Sequence, residues 1–300
     1  MRKATCRICG YCGNQPPVLQ DYRILGRTWD LVRCQYCGLV STDPMPEDQV
    51  LALKYADNYW AAADDASAAM VYKLRMKGFA RRLRRMVQTG DRALDVGAGT
   101  GLWVNVLRSS GFDAFGVDPY AVEIPGGFVF RCFLQEAPFS KKSFDLITYM
   151  HVLEHMKDPV GAIRVADRFL KPGGLLAIEV PNIDSLGFKL FKDRWFPLDD
   201  IPSHISHFSR KSLLFALQKS GKYTLLRQSG FSLKDSPSIL VNTIFPHLSP
   251  RAVRKRFEGR HPLPFKILYL LLQMAFLPVA WTAALAGRGE VVRVVLKKNE

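Results

Sequence analysis

Through the middle of the chain, short and mostly apolar runs alternate with stretches in which apolar positions recur every three or four residues. Arg92 to Val96, Phe112 to Val117, Ser143 to Tyr149 and Leu175 to Val180 are runs of the first kind. They are short for helices and mostly apolar without strict alternation, so they predict buried parallel strands. Between them, Leu102 to Ser110, closed by Gly111, and Asp158 to Leu170, followed by the turn Lys171-Pro172-Gly173-Gly174, predict helices. A longer helix is expected over Ala66 to Gln88, another over Arg210 to Gly221 with Ser209 as its cap, and a strand over Tyr223 to Gln228. Val291 to Leu296 should close the sheet antiparallel to that strand. This alternation specifies an α/β fold with a doubly wound, Rossmann-like sheet.

Both flanks of the pattern break the rhythm. Cys6, Cys9, Cys34 and Cys37 form two C-x-x-C knuckles, each followed by a glycine, Gly10 or Gly38. In a reducing compartment this spacing predicts a tetrahedral Zn²⁺ site, an N-terminal zinc ribbon over residues 1–45. Four thiolates leave no open coordination position, which makes the metal structural. Cys12 and Cys132 fall outside the pattern, and Ser41 to Pro46 reads as a linker to a second domain over residues 46–300. Before the last strand lies an insertion of about 232–288. Within it, Ile267 to Ala286 has only Gln273 and Thr282 as clearly polar positions, long enough for a membrane span. A crossing would strand the closing β-strand on the far side. Pro278 is therefore expected to bend the segment into an apolar helical hairpin lying in the interface. Arg251, Arg254, Lys255, Arg256, Arg260 and Lys266 precede it, and Tyr269 and Trp281 suit an interface, which together predict an anionic membrane surface as partner.

Composition sharpens this only in part. The 300 residues carry a net charge of +15, and 48% of them are apolar, enough for one sizeable core. Such charge favours acidic partners: anionic lipid, phosphorylated or nucleotide-linked substrates, or nucleic acid. Base-stacking aromatics interleaved with arginines are not evident, which disfavours nucleic acid. Arg81, Arg82, Arg84 and Arg85 read as a solvated helix face. The chain opens Met1-Arg2-Lys3 without an apolar leader, so the expected location is cytoplasmic, peripheral or monotopic on the inner face of the membrane.

The chemistry concentrates after the first central strand. Asp95-Val96-Gly97-Ala98-Gly99-Thr100-Gly101 joins that strand to its helix, and Asp118 ends the next strand. Glycines at alternate positions allow a sharp turn with bare backbone against a ligand. A G-x-G-x-x-G turn would cradle a pyrophosphate; here the spacing differs, and Asp95 would repel one while suiting a cation. Asp118 is placed to accept both hydroxyls of a ribose. These phrases and their order resemble the class I S-adenosylmethionine-dependent methyltransferases over roughly residues 70–230.

His151-Val152-Leu153-Glu154-His155 and the Lys-Pro-Gly-Gly turn look like the branch containing quinone and sugar methyltransferases. The cysteine segment, with the tyrosine-rich Lys54 to Trp60, resembles the zinc module of sugar C- and O-methyltransferases. The resemblance implies cofactor contacts at Asp95, Gly97, Ala98, Gly99, Gly101 and Asp118. Leu134 and Gln135 would serve the adenine, where relatives carry an acid near Phe133. A hydroxyl acceptor needs a base, and His151 is the first candidate. His204 and His207 are the others, in a loop from Asp184 to Ser209 whose Trp195, Asp199, Pro202 and Phe208 resemble a pattern of glycan-cluster methyltransferases. Quinone and small-RNA methyltransferases hold Mg²⁺ at E-x-x-E-H; Glu154 and His155 match, while His151 replaces the first glutamate and disfavours a hard cation. The expected acceptor is a hydroxyl, or a carbon, of a sugar-, glycan- or lipid-linked molecule. The alternatives are an RNA methyltransferase and a non-catalytic zinc-ribbon binding protein.

Overall fold

The computed structural model describes residues 3–51, 66–121, 126–257 and 262–300; the expectations on Lys54 to Trp60 and Arg260 lie outside them. The chain begins with a hairpin, β1 (Lys3–Thr5) and β2 (Cys12–Asn14), followed by β3 (Pro17–Ile24), β4 (Arg27–Arg33) and β5 (Val40–Asp43). The first knuckle sits between β1 and β2 and the second between β4 and β5. Each knuckle closes on itself in the same way. Gly10 N donates to Cys6 O at 2.9 Å and Gly38 N to Cys34 O at 3.0 Å, both glycines at positive φ, 73° and 80°.

The central part supplies α1 (Ala66–Met86), β6 (Arg92–Val96), α2 (Leu102–Arg108), β7 (Asp113–Val117), β8 (Val129–Phe130), β9 (Phe144–Met150) and α3 (Pro159–Phe169). It continues with β10 (Leu170–Pro181), α4 (Leu186–Phe191), β11 (Ser206–His207), α5 (Arg210–Ser220) and β12 (Tyr223–Ser229). The insertion carries α6 (Asp235–Ile244), α7 (Pro250–Arg256) and α8 (Leu263–Leu285), and β13 (Val291–Lys298) closes the chain. Among the described residues the strands form a seven-stranded sheet in the order β12-β13-β10-β9-β6-β7-β8. β6 to β10 run parallel, and β13 is antiparallel to both β10 and β12, the arrangement the sequence predicts.

Burial explains why these runs became central strands. All seven residues of β9 but Met150 are buried, as are the last eight of β10, Leu175 to Pro181 among them. One face packs Leu94, Ile147, Ile178 and Val294 against α3 and α5; the other packs Ala93, Leu146 and Ala177 against α1 and α2. Each fully buried aliphatic side chain there contributes about 1.5–3 kcal/mol.

Three expectations are corrected. Ser41 to Asp43 is no linker but part of β5, where Ser41 and Thr42 are buried and pair with β4 on one side and, at Ser41, with β11 on the other. The Lys-Pro-Gly-Gly turn is absorbed into β10 as an irregularity between Leu170 and Leu175. Ile267 to Ala286 is not a hairpin: α8 passes unbroken through Pro278. Thr282 Oγ1 donates to the Pro278 carbonyl at 2.9 Å, one turn further on in an ordinary helical register.

Candidate active site

The glycine turn sits where β6 hands the chain to α2, at the carboxyl edge of the parallel strands. Gly97, Gly99 and Gly101 all adopt positive φ, at 76°, 51° and 72°. At Gly97 the bare backbone serves packing: a Cβ there would meet Val152 Cγ2 at 2.4 Å. Gly99 N donates to Asp118 Oδ2 at 2.9 Å, and Tyr120 N donates to Asp118 Oδ1 at 2.7 Å. Two amides thus orient the Asp118 carboxylate at the tip of β7. Burial nonetheless raises its pKa, an effect these amides and His155 reduce.

Asp95 is the more exposed to this conflict. It is buried in β6, and Thr148 Oγ1 donates to its Oδ1 at 2.7 Å, with Trp103 Nε1 donating in turn to Thr148 Oγ1 at 3.1 Å. Burial, joined by repulsion from Asp118, pushes the Asp95 pKa up to about 8 despite the Thr148 hydrogen bond. A nearby cation would relieve that penalty by favouring the charged form.

Both aspartates open onto one cavity of 1190 Å³. Its donor end is lined by Gly97, Ala98, Leu134 and Gln135, the last two on a single 3₁₀ turn, Leu134–Glu136. Gly99 and Gly101 shape the turn without lining the cavity. The same cavity is lined by His151, His155, Phe196 and His204, with Tyr72 and Lys234 arriving from α1 and the residue before α6. This volume exceeds the about 300–1,000 Å³ of a pocket for one small ligand, so it accommodates a donor and an acceptor together.

The candidate bases fall in different settings. His151 follows β9 at φ 58°, and both its ring nitrogens face carboxylates. Nε2 lies 3.1 Å from Glu179 and 3.4 Å from Asp235, and Nδ1 lies 3.4 Å from Glu154. Burial lowers its pKa, but Asp235, Glu154 and Glu179 outweigh that and hold it well above the usual imidazole range. His151 thus sits among three carboxylates, Glu154, Glu179 and Asp235, a setting that favours its charged form over that of a free base. Arg293 completes that cluster on Glu179, and Lys234 lies 2.6 Å from Asp235.

His207 is buried in β11, outside the large cavity, with Nε2 at 3.0 Å from Thr42 Oγ1. Burial, with help from Arg7 and His155, drives its pKa down to about 3. His204 does line the cavity, with its ring 4.6 Å from that of His155 and its Nε2 4.0 Å from Asp200.

Glu154 is also buried, and neither carboxylate oxygen accepts a hydrogen bond. One ligand atom each of Glu154, His155 and His204 lies within 4.8 Å of the others. One carboxylate and two imidazoles do not suit Mg²⁺, which takes oxygen ligands. His151, in place of a further oxygen donor, is committed to Glu179 and Asp235. The Mg²⁺ site that His151 already disfavoured gains no support from this geometry. The expected helix from His151 is also replaced, by a single 3₁₀ turn, Leu153–His155, so the three side chains are gathered by the chain reversal after β9.

The four ribbon cysteines bring their sulfurs within 4.8 Å of one another, with Cys6 to Cys37 at 3.4 Å and Cys9 to Cys34 at 3.6 Å. Thiolates on a tetrahedral Zn²⁺ stand about 3.8 Å apart, given Zn–S bonds of about 2.3 Å, so the cluster is compatible with zinc.

A glycine turn flanked by two buried carboxylates, Asp95 and Asp118, thus lies at the carboxyl edge of a doubly wound sheet. A family model described as a methyltransferase domain matches residues 71–226, and the chain belongs to this family. It is 30% identical over 125 residues to a ubiquinone biosynthesis O-methyltransferase of Bradyrhizobium sp. (strain ORS 278), covering 36% of this chain and 49% of that one. With the enzyme of the same name from Nitrobacter winogradskyi it shares 31% over 124 residues, 36% of this chain and 48% of the relative. The chain thus spans about half the length of the curated relatives it matches. Among solved structures, a SAM dependent methyltransferase from Archaeoglobus fulgidus is 17% identical with a TM-score of 0.44, covering 75% of this chain and 94% of that one.

Proposed function

We propose that the chain transfers a methyl group from S-adenosylmethionine to a hydroxyl of a sugar-, glycan- or lipid-linked acceptor at an anionic membrane surface. The observation that carries this reading is the single cavity that joins the Asp95 and Asp118 end to the His204 end. In-line displacement needs donor and acceptor in one enclosure with the acceptor oxygen facing the methyl carbon. We assign the cofactor contacts to Asp95, Gly97, Ala98, Asp118, Leu134 and Gln135, with Gly99 and Gly101 giving the turn its shape. His204 takes the acceptor's proton, and the Glu154 carboxylate in the same cluster stabilises the cation that forms. Residues 1–45 are read as a zinc-folded module and 46–300 as the methyltransferase domain with its insertion. The relatives' printed activity, O-methylation in ubiquinone biosynthesis, supports an oxygen acceptor.

The membrane part of the reading rests on α8. Leu263, Ile267, Leu271, Met274, Trp281 and Leu285 fall on one helical stripe and are all more than half exposed, whereas Gln273, Ala280 and Ala283 on the opposite stripe are buried. Met70, Val71 and Leu74 of α1 are exposed as well, and Arg75 of that helix bonds Gln273 of α8. Arg254, Lys255 and Arg256 at the end of α7 supply charge for anionic headgroups. The helix leads straight into β13 of the central sheet, which supports an interfacial pose.

The test is incubation of membrane lipid, glycan and RNA extracts with isotopically labelled methyl donor, read by mass spectrometry. The expected label is in a lipid or glycan fraction, on oxygen. Label in RNA alone overturns the acceptor assignment.

A further inference from the structure

We infer that the inner edge of the zinc ribbon belongs to the acceptor end of the cavity: Arg7 and Thr42 are positioning residues that set His204, so zinc loss loosens the acceptor end and spares the donor end. This rests on the reading of His204 given above.

The main chain of His204 and Ile205 has every polar group engaged. His204 N donates to Asp200 O at 3.0 Å, and Ile205 N donates to Glu154 O at 2.9 Å. The two carbonyls are taken by the ribbon. Thr42 Oγ1 donates to His204 O at 2.8 Å, Thr42 N donates to Ile205 O at 3.2 Å, and Arg7 Nη1 donates to Ile205 O at 2.7 Å. Arg7 Nη2 also reaches Thr42 O at 3.4 Å, tying the two ribbon residues together. Immediately afterwards, Ser206 and His207 pair with Ser41 and Val40, so β11 is a fourth strand of the ribbon's own sheet. The His204 backbone is thus clamped between the ribbon and the turn after β9.

The clamp depends on the metal because of where its parts sit. Arg7 lies inside the first knuckle, between Cys6 and Cys9, and Thr42 lies on the strand that leaves the second knuckle. Small modules of this kind hold their shape largely through the ion, so free energy of metal binding becomes free energy of local order. Asp95 and Asp118, by contrast, stand on β6 and β7 of the central sheet. Zinc release should therefore separate two properties that an ordinary loss of stability would degrade together.

The test compares the zinc-loaded full chain, the chelator-treated chain, Thr42→Val and Thr42→Ser. Three properties are read: hydrogen exchange over residues 200–208, the imidazole NMR signals of His204, and S-adenosylmethionine affinity by calorimetry. In the chelated chain and in Thr42→Val, exchange over 200–208 should rise about tenfold or more and the His204 signals should move. Donor Kd should stay within about twofold, and Thr42→Val should retain its zinc. Thr42→Ser, which keeps the hydroxyl, should behave as wild type. Unchanged protection and unmoved His204 signals in Thr42→Val overturn the coupling, as does an equal effect from Thr42→Ser. If chelation unfolds the chain, the zinc-loaded Thr42 pair still decides. Should the coupling hold while His204→Gln keeps full turnover, it is the assignment of His204 to the acceptor's proton that fails.

Discussion

At Asp95, stability and function pull in opposite directions. Its pKa near 8 in the folded chain lies above the 3.8 of an unfolded aspartate, so the folded state without donor holds a proton that the unfolded chain has released. Stability from this group is therefore greatest below pH 4 and declines as pH rises to about 8. A cationic donor requires the carboxylate, so its affinity should weaken as pH falls below 8. The drop expected by calorimetry between pH 7.5 and 5.5 is on the order of tenfold per unit. Asp95→Asn should raise the melting temperature of the donor-free protein by a few degrees and abolish that pH dependence; affinity that is flat with pH in the wild type contradicts the assignment. At the acceptor end, His204→Gln should lower turnover by about 10²–10⁴-fold with donor Kd near normal. His151→Gln should instead show mainly as lost stability, on the order of 3 kcal/mol, because Glu179 and Asp235 lose a buried counter-charge.

At the scale of elements, the sequence made some parts legible and others not. Strand and helix positions followed from apolar periodicity, and Ser209 does cap α5, accepting from Ser212 N. The donor turn was legible because its glycines, Asp95 and Asp118 lie within one strand-helix-strand unit. Thr148, Trp103, Tyr72, Glu179 and Asp235 escaped notice, since each reaches the site from a separate element and none belongs to a local motif. A buried Glu in a run as apolar as β10 was the available signal for Glu179. The setting of His151 was not legible for the same reason: its partners Glu179 and Asp235 are remote in sequence. For α8, length and hydropathy suggested a membrane segment, but only packing separates the exposed stripe from the buried one. Replacing Leu271 and Met274 with Glu should release the protein from anionic vesicles in flotation assays while leaving donor affinity intact. Vesicle binding that persists in the double variant, and that high salt fully reverses, would show the contact to be electrostatic alone.

The molecule as a whole is a mixed sheet, parallel from β6 to β10, whose carboxyl edge is walled on one side by the insertion and on another by the ribbon. The ribbon's contribution was invisible in sequence because β11 is two residues long and pairs across more than a hundred and sixty positions, Ser206 with Ser41. Charge is similarly a property of the whole: +15 overall, yet neutralised in pairs around His151 and on α7, where Arg251 pairs with Asp200. All of these features converge on a cavity that must first hold the methyl donor. The most direct measurement is calorimetric titration of S-adenosylmethionine into the zinc-loaded chain and into Asp118→Ala. One donor per chain, bound at least about tenfold more weakly by the variant, is the predicted result. Absence of binding at saturating donor, or equal affinity in both proteins, would contradict it.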